Sequence, residues 1–344
     1  PDGLHGAKIS LPYPSVGATE QVLLTSVRAE GLTELSGAAV EPEIMDLIAI
    51  LQKMGAIISV DTDRTIRIEG VKTLDSYEHA ALFDRNEAAS WAAAALATHG
   101  DIFVGGARQQ EMMTFLNVFR KVGGAFDIKD DGILFYHPGG DLNPVVIETD
   151  VHPGFMTDWQ QPLVVAMTQA EGKSIVHETV YENRFGFTES LNAMGANIVV
   201  HQDGIASITR RVPRRALEQA AVITGPTPLH GADIRVPDLR GGFSHLIAAL
   251  AADGTSTISN VGIIARGYEH FIDKLRDLGA ATVYEAQGAK GALDSGIKPV
   301  DPTSRLAGPA LTVDARPSDN LILHHAVLKA KPGDVLVVDA KGFM

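Results

Sequence analysis

The feature that most constrains this chain is repetition: one unit recurs four times within 344 residues, so the fold is built from copies rather than from a single irregular path. Each copy opens with a helical pattern closed by glycine: Ala18–Glu30 before Gly31, Asn86–His99 before Gly100, Asp158–Glu171 before Gly172, and Gly241–Asp253 before Gly254. A glycine just past a helix accepts the left-handed conformation. A β-rich stretch follows each one, at Leu32–Leu35, Asp101–Val104, Lys173–His177 and Thr255–Ile258. A second helix comes next, again closed by glycine: Ile44–Met54 before Gly55, Met112–Val122 before Gly123, Phe187–Met194 before Gly195, and His270–Leu278 before Gly279. In the first three copies this helix leads into a strand, a polar turn and a return strand, as in Ile57–Val60 with Thr65–Glu69 and Ala125–Ile128 with Ile133–Tyr136. The predicted unit is β–α–β–α–β–β, a sheet carrying two helices, which puts the chain in the α/β class. The fourth copy breaks after Gly279-Ala280, where a Gly- and Ala-rich stretch and then Pro299, Pro302 and Pro309 stand in place of the hairpin. A junction is therefore expected near residue 280.

Composition narrows the function classes. With 45% hydrophobic and 21% charged residues, the chain has the balance of a globular protein with room for two or three domains. A net charge of −13 argues against nucleic-acid and membrane-surface partners, and the one dense basic patch, Arg210, Arg211, Arg214 and Arg215, reads as a solvated loop. A small anionic substrate remains open, because a few arginines in a cleft can hold it. The absence of cysteine excludes disulfides, thiolate metal sites and a cysteine nucleophile among these residues, and fits a reducing cytoplasm. His324-His325 lacks ligand partners at metal spacing, so neither metal nor cofactor is expected. Apolar runs such as Trp91–Thr98 are too short to span a bilayer, and no signal peptide is visible. The start, Pro1-Asp2-Gly3 running at once into strand-like Ala7–Leu11, reads as a cut.

Repetition also locates a candidate site, because equivalent points of each unit face the same way. The first helices are preceded by Ser15-Val16-Gly17, Asp84-Arg85-Asn86, Thr157-Asp158-Trp159 and Asp238-Leu239-Arg240. Clustered helix N-termini present unpaired N–H groups and positive dipole ends to phosphates or carboxylates, and Arg85 and Arg240 would reinforce them. The plainer possibility is that Ser15, Asp84, Thr157, Asp158 and Asp238 cap their helices and that the arginines pair with neighbouring acids. Glu182, Arg184, Arg266 and Glu269, just before second helices, would by themselves be surface charge.

Seven runs together carry a resemblance: Ser-Val-Gly-Ala-Thr (15–19), Glu-Pro-Glu-Ile (41–44), Asp-Arg (84–85), His-Pro-Gly-Phe-Met-Thr-Asp-Trp-Gln (152–160), Glu-Asn-Arg-Phe (182–185), Asp-Leu-Arg (238–240) and Arg-Gly-Tyr-Glu (266–269). Over about residues 3–280 the chain resembles the UDP-N-acetylglucosamine 1-carboxyvinyltransferase family of enolpyruvyl transferases. The resemblance implies inside-out α/β domains of three units each. Residues 1–82 would be the remnant of one domain, 83–280 a three-unit second domain, and 281–344 a partial β/α segment. It further implies transfer of enolpyruvyl from phosphoenolpyruvate to the 3-hydroxyl of UDP-N-acetylglucosamine, the first committed step of peptidoglycan synthesis, by addition and elimination. Asp158 would be the base near the sugar hydroxyl, and Arg240 and Arg266 would hold phosphoenolpyruvate. Ser15, Val16, Gly17 and Val180 would contact the nucleotide sugar, with Glu41, Arg85, Glu182 and Arg184 in support.

The sequence departs from the family in three respects. A Lys-Asn pair and a mobile loop bearing the general acid belong to a stretch not found here. Tyr13 stands where a lysine is common, and the segment between Glu182 and Arg240 is longer. Phosphate release by this chain alone is therefore not expected. Residues 281–344 resemble the 4-hydroxy-4-methyl-2-oxoglutarate aldolases and their ribonuclease-regulator relatives, through Arg305–Val313, Asp319–Leu321 and Lys331–Asp339. A nucleotide-sugar-binding fragment without turnover and an aldolase-like lyase are the competing functions.

Overall fold

In a computed structural model, residues 3–202, 219–286, 310–314 and 335–339 are described. The basic patch at 210–215 and His324-His325 lie outside the described residues. The first copy comprises β1 (Lys8–Ser10), α1 (Val16–Ser26), β2 (Leu32–Ser36), α2 (Pro42–Lys53), β3 (Ile57–Val60) and β4 (Ile66–Glu69). Its sheet order is β1-β2-β4-β3, with β1 parallel to β2 and the return strand β4 antiparallel between β2 and β3. Parallel neighbours need a crossover, which α1 supplies, whereas β3 and β4 need only a turn. Strand alternation turns Leu35, Ile58, Ile66 and Ile68 inward onto Leu23, Ile44, Ile48 and Leu51 of the two helices.

The plan repeats. The second copy holds α3 (Arg85–Ala97), β5 (Asp101–Gly105), α4 (Met113–Val122), β6 (Ala125–Lys129) and β7 (Gly132–Tyr136), in the order β5-β7-β6. The third holds β8 (Val146–Glu148), α5 (Thr157–Met167), β9 (Gly172–Glu178), α6 (Thr188–Ala193), β10 (Asn197–His201) and β11 (Gln219–Gly225), in the order β8-β9-β11-β10. The fourth holds β12 (Asp233–Arg235), α7 (Leu239–Ala251), β13 (Thr257–Ser259) and α8 (Phe271–Ala286), with β12 parallel to β13. Beyond it, β14 (Ala310–Asp314) and β15 (Val335–Asp339) pair in parallel from Ala310↔Val335 to Asp314↔Asp339.

In the last three copies the first helices lie inside and the sheets outside. Helices α3, α5 and α7 pack on one another. Ala88–Ala97 of α3 and Trp159–Met167 of α5 are buried without interruption, the burial of helices that have no solvent face. The alanines of α3 make this possible, since short side chains let helix axes approach closely. Buried apolar side chains fall into two clusters, one from Leu23 to Ile68 and a larger one from Ala88 to Phe271, which define two lobes. Side chains cross between them. The Arg85 guanidinium donates to both Glu43 oxygens at 2.7 and 3.1 Å, and Arg64 donates to the His152 carbonyl at 2.5 Å.

Six of the eight expected glycine stops, Gly31, Gly55, Gly123, Gly172, Gly195 and Gly254, have positive φ. Two differ. At the end of α3 the left-handed residue is His99, with φ of 55°, one position before Gly100. Gly279 does not end its helix, because α8 runs on to Ala286. Gly279 is followed by Ala280 and Ala281, strong helix formers that offset the cost of about 1 kcal/mol for a glycine in a helix. No helix among the described residues is long and apolar enough to cross a membrane.

Candidate active site at the helix starts

The inner helices α3, α5 and α7 begin at equivalent points of the repeat but are finished differently. Asp84 caps α3 by accepting from Asn86 N at 2.7 Å and Glu87 N at 3.2 Å. Asp238 caps α7 by accepting from Arg240 N at 3.0 Å and Gly241 N at 2.9 Å. Ser15 caps α1 through Ala18 N at 3.3 Å. For these three the capping expectation holds. It fails for Thr157 and Asp158: the N-cap of α5 is Met156, which has no side-chain oxygen to offer. The Thr157 hydroxyl donates to Glu178 instead.

Released from capping, Asp158 lies between two arginines. Arg184 Nη2 donates to its Oδ1, and Arg240 Nε donates to its Oδ2 at 3.2 Å. Side-chain exposure is 26% for Asp158, 17% for Arg184 and 11% for Arg240, so the triad is largely withdrawn from water. Burial works against the charge of Arg240, but Tyr268 and Asp158, with Asp84 beyond, more than offset it and hold the pKa above the ordinary arginine range. The Arg240 guanidinium lies 5.3 Å from the Tyr268 ring centroid. Burial pushes the Tyr268 phenol up, and its oxygen is 2.9 Å from Ser90 Oγ of α3. Its ring stacks on Phe243 of α7 at 4.0 Å. The starts of the three inner helices thus meet around Asp158 and Arg240.

Two guanidinium donors at this point, Arg184 Nε and Arg240 Nη1, are buried and have no hydrogen-bond partner among the described residues; the same holds for Asn86 Oδ1 at the start of α3. Unsatisfied buried donors beside helix N-termini suit an anionic ligand with several acceptor oxygens.

The other expected residues are less uniformly placed. Arg266 ends the 3-10 turn Val261–Arg266 and is exposed; no contact joins it to Asp158, although Tyr268 ties its loop to α7. Val180 N donates to Glu178 Oε1 at 2.8 Å, and Glu182 is exposed. Arg85 is turned away from the triad: it pairs with Glu43, and its guanidinium lies 5.3 Å from the Trp159 ring centroid. The possibility that this arginine pairs with a neighbouring acid therefore applies, with the acid in the other lobe. Glu41 is 5% exposed at the start of α2; burial raises its pKa, countered by backbone N–H groups and by Arg85 and Arg64. Val16 and Gly17 begin α1, and a side chain built on Gly17 would meet open space. Three cavities of about 350, 640 and 530 Å³ are lined by none of Asp158, Arg184 or Arg240. Tyr268 and Glu178 are not singled out by the sequence; the aromatic within Arg-Gly-Tyr-Glu was an available signal for the first, whereas Glu178 ends a strand that also carries Lys173, Ser174 and His177 and gave none.

The family described as EPSP synthase (3-phosphoshikimate 1-carboxyvinyltransferase) matches residues 2–275, and the family described as Aldolase/RraA matches residues 274–344. A UDP-N-acetylglucosamine 1-carboxyvinyltransferase of Protochlamydia amoebophila is 53% identical over 279 residues, covering 81% of this chain and 60% of that protein. One of Chlamydia abortus is 47% identical over 281 residues, covering 81% and 63%. The chain thus spans less than two thirds of the length of these relatives. Among solved structures, the enolpyruvyl transferase NikO from Streptomyces tendae superposes with a TM-score of 0.70 at 25% identity, covering 81% of this chain and 65% of that one. An EPSP synthase from Acinetobacter baumannii, at TM-score 0.59 and 17% identity, shares the fold. With a match over most of its length and relatives near half identity, the chain belongs to the EPSP synthase, or 3-phosphoshikimate 1-carboxyvinyltransferase, family of enolpyruvyl transferases.

Proposed function

We propose that this protein serves the transfer of enolpyruvyl from phosphoenolpyruvate to the 3-hydroxyl of UDP-N-acetylglucosamine, in the cytoplasmic phase of peptidoglycan synthesis. The observation that carries this reading is the Asp158 triad with its two unpartnered guanidinium donors. Phosphoenolpyruvate brings a carboxylate and a phosphate, the two groups that planar guanidinium donors bind best. Asp158 accepts from both arginines. An incoming phosphate competes for Arg184 and Arg240 and leaves the carboxylate oxygen to accept the proton of the attacking hydroxyl, as a general base requires. Arg266, on the exposed loop beside Tyr268, reaches the same anion from the rim. Ser15, Val16, Gly17 and the Val180 backbone take the nucleotide sugar, with Glu41, Arg85 and Glu182 in support. Oxygen adds to C2 of phosphoenolpyruvate as Asp158 takes the hydroxyl proton, and C3 takes its proton from a general acid other than these residues; loss of a C3 proton and of phosphate then restores the double bond.

Ligand-induced stabilisation tests the reading and separates it from the shikimate branch of the family. A ligand at a hundredfold excess over its Kd stabilises the folded state by about 2.7 kcal/mol. Phosphoenolpyruvate and UDP-N-acetylglucosamine should each raise the melting temperature, and shikimate 3-phosphate should not. Stabilisation by shikimate 3-phosphate, with none by the nucleotide sugar, contradicts the assignment.

A further inference from the structure

We propose that Glu178 is a positioning residue that fixes both the 179–181 backbone and the first turn of α5 with one buried carboxylate. The proposal rests on the roles given above to Val180 and Asp158. Glu178 ends β9 and is 0% exposed. Its Oε1 accepts from Thr149 Oγ1 at 2.9 Å, Val180 N at 2.8 Å and Tyr181 N at 2.9 Å. Its Oε2 accepts from Thr157 Oγ1 at 2.8 Å and from Gln160 Nε2. All five donors are neutral, and they come from three segments, at 149, 157–160 and 180–181.

The two oxygens divide the work. Oε1 gathers successive backbone N–H groups of the turn that presents Val180, an arrangement that fixes the peptide planes there. Oε2 takes Thr157 and Gln160, which bracket Asp158 across one helical turn. The orientation of α5 at Asp158 is therefore set by the same group that sets Val180, through side chains of its first turn rather than through its backbone N–H groups. Thr149 strengthens the clamp: its hydroxyl donates to Glu178 and accepts from Thr179 N at 2.9 Å, while Thr179 Oγ1 donates to the Thr149 carbonyl. A purely structural role would be met as well by an apolar side chain, since an unneeded buried carboxylate is costly. Five converging donors require an acceptor on both sides, which an amide does not have.

The test compares the full chain with Glu178→Gln, with the swap Glu178→Gln/Gln160→Glu, and with Thr157→Val, by local hydrogen exchange and by titration with UDP-N-acetylglucosamine. In Glu178→Gln one amide edge meets donors head-on. Exchange should rise at the Val180 and Tyr181 amides without rising across β11, and affinity for the nucleotide sugar should fall about tenfold. The swap returns a donor–acceptor pair to the α5 side and should recover part of that affinity. Thr157→Val removes one donor at little risk to folding and should weaken binding by a smaller factor. Unchanged exchange at 180–181 together with unchanged affinity overturns the proposal, as does a swap no better than the single variant. If Glu178→Gln does not fold, unaltered affinity in Thr157→Val overturns it. A wild-type chain that fails to bind the nucleotide sugar defeats the functional reading, while the exchange measurements still decide the positioning role.

Discussion

The first turns of α3 and α7 and the first turn of α5 occupy equivalent places in one repeat, yet only the former two are finished as helices ordinarily are. Asp84 and Asp238 spend their carboxylates on backbone N–H groups, whereas α5 begins at an uncapped Met156 and turns Asp158 onto Arg184 and Arg240. A repeat keeps its local chemistry where only the fold is at stake and departs from it where a side chain has another use. Stability and function therefore separate: Asp84 and Asp238 serve their helices, and Asp158, on the proposed function, serves a ligand.

The largest effect should come from the triad. Asp158→Ala leaves two largely buried guanidinium groups facing each other, and removing one partner of such a pair costs about 3 kcal/mol. Urea unfolding should show this loss in dilute neutral buffer, and inorganic phosphate should restore more stability to this variant than to wild type. An equal response to phosphate in both would blur the distinction between α5 and its two counterparts.

Next in size are the caps. Asp84→Ala and Asp238→Ala should each lower stability by about 1 kcal/mol, the ordinary cost of an N-cap deletion. Phosphate should not recover that loss, because the capping oxygens face their own helices. Rescue of either variant by phosphate would place these carboxylates in the binding site after all.

The smallest effect is a pH dependence within α7. His245 is buried with Nε2 3.0 Å from the Phe187 carbonyl; burial pushes its pKa down, with that carbonyl and Asp238 opposing. A histidine depressed in the folded state binds fewer protons there than when unfolded. Its contribution is therefore fully present above about pH 6.5 and is lost as pH falls from there toward the folded value. Burial lowers His137 and His152 in the same direction. Urea unfolding at pH 7.5, 6.5 and 5.5 should show decreasing stability, with a shallower decline in His245→Gln.

Much of this architecture was legible in the chain because it depends on local chemistry. Glycine stops and polar turns act over a few residues, and repetition let each copy support the next. The exceptions were also local: His99 took the left-handed position before Gly100, and the alanines after Gly279 carried α8 onward. The site was legible as a list of residues but not as a geometry. Nothing near Arg85 in sequence shows that it turns to Glu43 in the other lobe, and nothing near Thr157 shows that its hydroxyl serves Glu178. Partners 42 and 21 positions apart are chosen by packing, which no short motif encodes. Arg184, surface charge by its spacing alone and a supporting residue only through the resemblance, is drawn onto Asp158 from the chain after β9.

Calorimetric titration of phosphoenolpyruvate into the wild-type chain and into Arg240→Ala separates binding at the inner helix starts from binding elsewhere, with Arg120→Ala as the control, since Arg120 lies on α4 with its guanidinium 4.1 Å from the Phe126 ring centroid of β6. Binding to wild type and to Arg120→Ala should be saturable, and affinity in Arg240→Ala weaker by about tenfold or more, the equivalent of about 1.4 kcal/mol for one charge-assisted contact. Equal affinity in wild type and Arg240→Ala would contradict the proposed site, since the anion would then bind somewhere other than the starts of the inner helices.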